Sequence, residues 1–198
     1  GNWIGGTTPY FMTADGGQIV DASKVFVSDF SDAAGVSVQC YASDELERIS
    51  ADAPANGFAL AILPYGSVTH ERFATEAASY PMAFLRPTVG WIAGFDLSDA
   101  NGEALVFDGR TGTVHRDHAV VLHVALDDEA LVSVEIVNLF RPDEGDVIHF
   151  ESDSFTPDVC IVNGERRVFA DYLRERGLEG GQLPLIGDFS GVNLNASI

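Results

Sequence analysis

The order of apolar and polar positions changes period along the chain, and each change predicts an element. Trp3-Ile4 runs into Gly5-Gly6-Thr7-Thr8-Pro9, and Tyr10-Phe11-Met12 resumes the apolar run before Asp15-Gly16-Gly17. Asp-Gly between apolar stretches is a hairpin signal, because the favoured tight turns need positive φ at their centre. Val25-Phe26-Val27 and Val36-Ser37-Val38 are β-branched runs suited to strands. A first helix is predicted over 43–52, with Ser43 as N-cap, Glu45 and Glu47 in the first turn, and Leu46 and Ile49 as an i, i+3 stripe. Phe58-Ala59-Leu60-Ala61-Ile62-Leu63 is continuously apolar, as a strand covered on both faces requires. Ser67 then caps a second predicted helix over 67–80, which buries Phe73, Ala74, Ala77 and Ala78.

From residue 82 to 150 the pattern predicts mostly strand. The runs are Phe84 to Phe95, Ala104 to Phe107, His118 to Leu126, Leu131 to Phe140 and Asp146 to Phe150. Asn101-Gly102, Asp108-Gly109, Asp127-Asp128 and Glu144-Gly145 separate them with turn chemistry. This spacing predicts an antiparallel meander, with Asp127-Asp128 turning between two long strands. Val159 to Val162 is a strand, Asn163-Gly164 a stop, and 165–176 a third helix that turns Val168, Phe169, Tyr172 and Leu173 inward and ends at Gly177. Leu183 to Ile186 is a last strand, followed by the turn Gly187-Asp188-Phe189-Ser190-Gly191. The fold class expected is α/β or α+β: a mixed sheet with flanking helices and a central antiparallel β-meander. No linker interrupts residues 1–198, so one domain is expected, with a fragment of a longer chain left open by the missing initial methionine.

Composition narrows the function classes. At 198 residues with 46% hydrophobic and 21% charged positions, the chain can build its own core. Eleven Lys and Arg face thirty Asp and Glu, a net charge of −19. Such a surface repels phosphate backbones and anionic lipid, so neither nucleic acid nor membrane is an expected partner. Cys40 and Cys160 each sit in an apolar run with no CxxC partner. They are expected to be reduced and buried in a cytoplasmic protein, a disulfide or reactive thiol being the alternative.

Candidate chemistry is sparse. His115, His118 and His123 resemble a ligand cluster until strand alternation puts His118 and His123 on opposite faces. Hydrogen-bonded strand histidines and ligation of a metal or haem by one of them both remain open. No G-x-S-x-G, GxGxxG or Walker pattern occurs, so no catalytic set, metal or cofactor is assigned. Apolar pairs followed by small residues recur at Trp3-Ile4-Gly5-Gly6, Trp91-Ile92-Ala93-Gly94 and Leu185-Ile186-Gly187-Asp188. Strand ends of this kind let a backbone or a ligand come close. The predicted ligand site therefore gathers Gly5, Gly6, Thr7, Thr8, Arg86, Trp91, Gly187, Asp188 and Ser190. Backbone donors, hydroxyls and the Arg86 guanidinium suit a small polar or anionic ligand.

Around these same loops the chain resembles FIST domains, named for F-box and intracellular signal transduction. The likeness lies in the order of pieces: Ile4 to Phe11 with its Gly/Thr turn, Lys24 to Phe30, Phe58 to Pro64, Asn163-Gly164, and Leu183-Pro184-Leu185-Ile186-Gly187-Asp188. It covers about half of the chain. The resemblance implies a sensory input domain of an intracellular, bacterial-type signalling protein that binds small ligands such as amino acids. Some such domains bind haem, but no histidine here matches a haem ligand. Two other readings stay open: a hydrolase-like enzyme pairing His70, His115 or His118 with a carboxylate, and an interaction module whose strand edges form a homodimer.

Overall fold

The computed structural model describes the chain except residues 15, 20–23, 84, 97, 136–143, 153, 179–184, 190–191 and 197–198; at 185, 188–189 and 192–196 it describes the backbone alone. Residue contacts divide the chain into two compact units, Gly1–Val134 and Glu135–Ile198. The first contains β1 (Ile4–Gly6), β2 (Tyr10–Thr13), β3 (Gly16–Ile19), β4 (Gly35–Tyr41), α1 (Arg48–Ala51), β5 (Gly57–Pro64), α2 (Val68–Glu76), β6 (Thr88–Ala93), β7 (Val106–Asp108), β8 (Thr113–His115) and β9 (Ala119–Ala125). The second contains β10 (Ile148–His149), β11 (Val159–Val162), β12 (Glu165–Val168), α3 (Phe169–Glu175), β13 (Leu185–Phe189) and β14 (Val192–Ala196). This is a mixed, α+β architecture. No helix among the described residues is long and apolar enough to cross a membrane.

The first unit is organised by its most apolar strand. Ala119 to Val124 of β9 are all buried, so this strand needs neighbours on both edges and cover on both faces. It lies between β4 and β5, antiparallel to each, and β5 pairs in parallel with β6 to give the order β4-β9-β5-β6. A parallel pair cannot be joined by a tight turn, and α2 supplies the crossover between β5 and β6. On one face Tyr41, Ala59, Ala61, Leu63, Ala119 and Val121 pack with Leu46, Ile49, Phe73 and Tyr80 from the helical side. On the other face Val38, Ile62, Ala93, Val120, Leu122 and Val124 pack with Ile4 and Val106 of a small antiparallel sheet, β1-β7-β8.

Among the described residues the predicted meander does not form. Thr88–Ala93 pairs in parallel with β5, Val106–Asp108 joins the small sheet, Ala119–Ala125 takes the centre of the large one, and Ile148–His149 belongs to the second unit. Asp127 does begin a turn, closed by Ala130 N–H donating to its carbonyl, but residues 131–135 are not strand and 136–140 lie outside the described residues. Asn56 holds this loop instead, its side-chain amide donating to the carbonyls of Asp127 and Ala130. Turn residues say where a chain reverses, not which strand it then joins.

All three helices are shorter than expected, α2 ending at Glu76. Ser67 caps α2 as expected, its Oγ accepting from His70 N–H at 3.1 Å. The first helix shrinks to Arg48–Ala51, because residues 45–49 are held by bonds back to the third preceding carbonyl: Glu45 to Ala42, Arg48 to Glu45, Ile49 to Leu46. In the second unit Glu165–Val168 is strand, not helix. Asn163 (φ 51°) and Gly164 (φ 90°) form the tight turn of a β11–β12 hairpin, and α3 starts only at Phe169. Phe169 and Tyr172 of α3 pack on Cys160 and Val162.

Candidate functional site

Part of the predicted glycine-turn site assembles. A Cβ on Gly6 would stand 2.7 Å from Ile62 Cγ2, 3.1 Å from Ala93 Cβ and 3.5 Å from Trp91 Nε1, so Gly6 and Trp91 are neighbours. Thr7 joins them, its carbonyl accepting from Gly94 N–H at 2.9 Å. The hydroxyls are committed: Thr7 Oγ1 accepts from Leu105 N–H at 3.0 Å, and Thr8 Oγ1 donates to the Tyr10 carbonyl at 2.6 Å. Gly5 lies in β1 opposite Phe107. Arg86 stands before the other end of β6, and Thr88 to Ala93 alone spans about 16 Å at strand rise. Its guanidinium donates to the Ala53 carbonyl at 2.7 Å. Gly187 and Asp188 belong to the second unit and lie within β13, opposite Leu194 and Asn193, instead of forming a turn. Ser190 falls outside the described residues.

The histidines fall into two groups. The rings of His115 and His118 are 4.9 Å apart, and His115 Nε2 lies 3.7 Å from Cys40 Sγ. The thiol donates to Asp108 Oδ2 at 3.4 Å, and Arg110 holds that carboxylate through its backbone N–H, Nε and Nη2. Burial, then the Asp108 carboxylate, push the Cys40 thiol up to about 11. Burial and the neighbouring His118 lower His115. The proton therefore stays on sulfur, and a thiolate–imidazolium nucleophile is disfavoured. Among the described residues no three His, Cys, Asp or Glu side chains are placed to hold a metal ion.

His123 stands on the opposite face of the large sheet, at 4% exposure, with Ser37 of β4 and Ala59 of β5 as its register partners. Its Nε2 is 2.8 Å from the Tyr41 hydroxyl, which donates to Asp52 Oδ2 at 3.1 Å. Arg48 Nη2 donates to the same oxygen at 3.2 Å, and its guanidinium lies 5.8 Å from the Tyr41 ring centre. Among the described residues, His123 Nδ1 is the buried side-chain nitrogen or oxygen left without a hydrogen bond. A cleft of about 290 Å³ opens beside it, lined by Gly35, Ser37, Asp52, Pro54, His123 and Ala125. Burial lowers the His123 pKa and the Asp52 carboxylate only partly opposes this, so the imidazole is held neutral.

This cluster was only partly visible in the sequence. His123 breaks the otherwise apolar run Ala119 to Ala125, and a buried polar side chain demands a partner. Tyr41 and Asp52 carry no local signal, since strand register and the α1 turn bring them to His123. No curated protein and no solved structure matches the chain. A match to one family extends over residues 1–198, and the chain belongs to that family, DUF6976, a family of unknown function.

Proposed function

We propose that this chain is a small-ligand-binding domain whose site is the His123 cleft, serving as a sensory input in a cytoplasmic signalling protein. The observation that carries the reading is the unpartnered, buried Nδ1 of His123, a residue that lines the cleft. An orphaned buried polar atom costs about 1–3 kcal/mol, and a ligand group that meets it recovers that cost on binding. The cleft is a better candidate than the glycine turns, because the Thr7 and Thr8 hydroxyls and the Arg86 guanidinium are already used inside the fold. The sensory role rests on the resemblance of the sequence to FIST domains, and the free Cys40 and Cys160 fit a reducing compartment. The test is a mixture of small polar metabolites titrated into the full chain and followed by amide NMR. Shifts are expected to saturate at Gly35, Ser37 and Ala125 and to disappear in His123→Gln; a screen that moves none of these amides removes the reading.

A second reading is hydrolase-like, because His123 and Asp52 line one cleft and Ser37 lies opposite His123 in register. A neutral buried imidazole can act as general base. Steady release of p-nitrophenol from p-nitrophenyl acetate, lost in both His123→Gln and Ser37→Ala, favours this reading over binding alone.

A further inference from the structure

We infer that the His123 cleft selects a small ammonium compound, an amine without a carboxylate, by presenting it with hydrogen-bond acceptors only on the His123–Tyr41–Asp52 chain. The inference rests on the ligand-binding reading above and adds the chemistry of the ligand. It follows from counting protons. Tyr41 has one hydroxyl hydrogen, and that hydrogen goes to Asp52 Oδ2. The short contact between Tyr41 Oη and His123 Nε2 therefore needs its proton from the ring, so Nε2 carries N–H and donates to the phenol oxygen. A neutral imidazole has only one N–H. Nδ1 is thus a bare lone pair, and what it lacks is a donor.

The surroundings point the same way. Tyr41 and Arg48 both donate to Asp52 Oδ2, which leaves Oδ1 as the oxygen open to a ligand. Ser37 adds a hydroxyl that accepts as readily as it donates. Among the described residues no Lys or Arg lines the cleft; the Arg48 guanidinium is held between Glu45 and Asp52, and that of Arg86 donates to the carbonyl of Ala53, between the lining residues Asp52 and Pro54. A carboxylate on the ligand would meet only guanidinium groups already engaged inside the fold, which disfavours amino acids and anions and favours a simple amine. The net charge of −19 raises the local concentration of cations over the whole surface. A cleft of about 290 Å³ holds only a short molecule.

Three size-matched probes separate the possibilities in the full chain: n-propylammonium, propionate and propan-1-ol. Long-range ¹H–¹⁵N spectra report which His123 ring nitrogen carries the proton. The free protein is expected to show Nε2 protonated and Nδ1 bare, and n-propylammonium to move the Nδ1 resonance saturably while propionate does not. Tyr41→Phe removes the group that fixes the tautomer, and Asp52→Asn removes the charge. Each is expected to weaken n-propylammonium about tenfold, the value of a hydrogen bond to a charged group; Asp52 lies at the surface, so its variant keeps the test available if Tyr41→Phe fails to fold. A proton found on Nδ1, or saturation by propionate or propanol in place of the amine, overturns the inference and leaves ligand binding standing. If none of the three probes binds but the wider metabolite screen succeeds, the amine assignment falls alone; if both fail, both fall.

Discussion

His123 has consequences that solution measurements read directly. Burial depresses its folded-state pKa, as it does for His70 and His115. The unfolded chain takes up these protons with an ordinary pKa of about 6.5, the folded chain only at lower pH. The stability these groups contribute is therefore complete above about pH 6.5 and is lost as pH falls from there through the folded pKa values. The urea midpoint is expected to drop between about pH 7.5 and about pH 5.5, and less steeply in His123→Gln; an unchanged slope in the variant takes His123 out of this account. Cys40 has the opposite shift. Its thiol, raised to about 11 by burial and Asp108, is protonated at neutral pH, so iodoacetamide should modify it far more slowly in the native protein than in denaturant. Fast native alkylation of Cys40 would show a thiolate that the Asp108 and His115 contacts do not explain. The burial of Cys160 was legible from its apolar run, but Cys40 is only half-buried, and its Asp108 and His115 neighbours come from another sheet and were not legible.

At the level of elements, legibility depended on whether the deciding interaction was local. The Ser67 cap and the continuous strand Gly57–Pro64 were readable because each is set within a few residues. Partner choice was not. Thr88–Ala93 becomes a parallel strand because α2 carries the chain back to the edge of β5, and no residue between 82 and 95 encodes that. The Asn163-Gly164 signal was strong, but the apolar stripe after it suggested a helix; the hairpin took Glu165–Val168 first. Gly6 gives a test of this scale. Its small size was read as room for a ligand, whereas Ile62 and Ala93 fill the space against it. Ile62 is fully buried and cannot swing away, so Gly6→Ala is expected to cost about 1–3 kcal/mol of overpacking, seen as a lower urea midpoint with unchanged slope. An unaffected midpoint would mean that open space, not packing, surrounds Gly6.

Over the whole molecule, composition made polyanionic partners unexpected but gave no boundary, because the passage from the first unit to the second is marked by no shift in residue type. The division is set by packing. The described residues that cover both faces of the large sheet all belong to Gly1–Val134, and so do Tyr41, Asp52 and His123. Cys160, Val162, Phe169 and Tyr172 form a separate cluster in Glu135–Ile198. A polypeptide of residues 1–134 has two closed core faces and falls within the size range of independent domains. It is expected to unfold cooperatively in urea, with a smaller slope than the full chain because less surface is exposed. It should also keep the His123 ring-nitrogen signals of the full chain, since among the described residues no hydrogen bond in the Arg48–Asp52–Tyr41–His123 chain comes from beyond residue 134. A fragment that binds hydrophobic dyes and unfolds without a clear transition would show instead that the first unit depends on the second for its packing, and the His123 cleft would then have to be studied only in the complete chain.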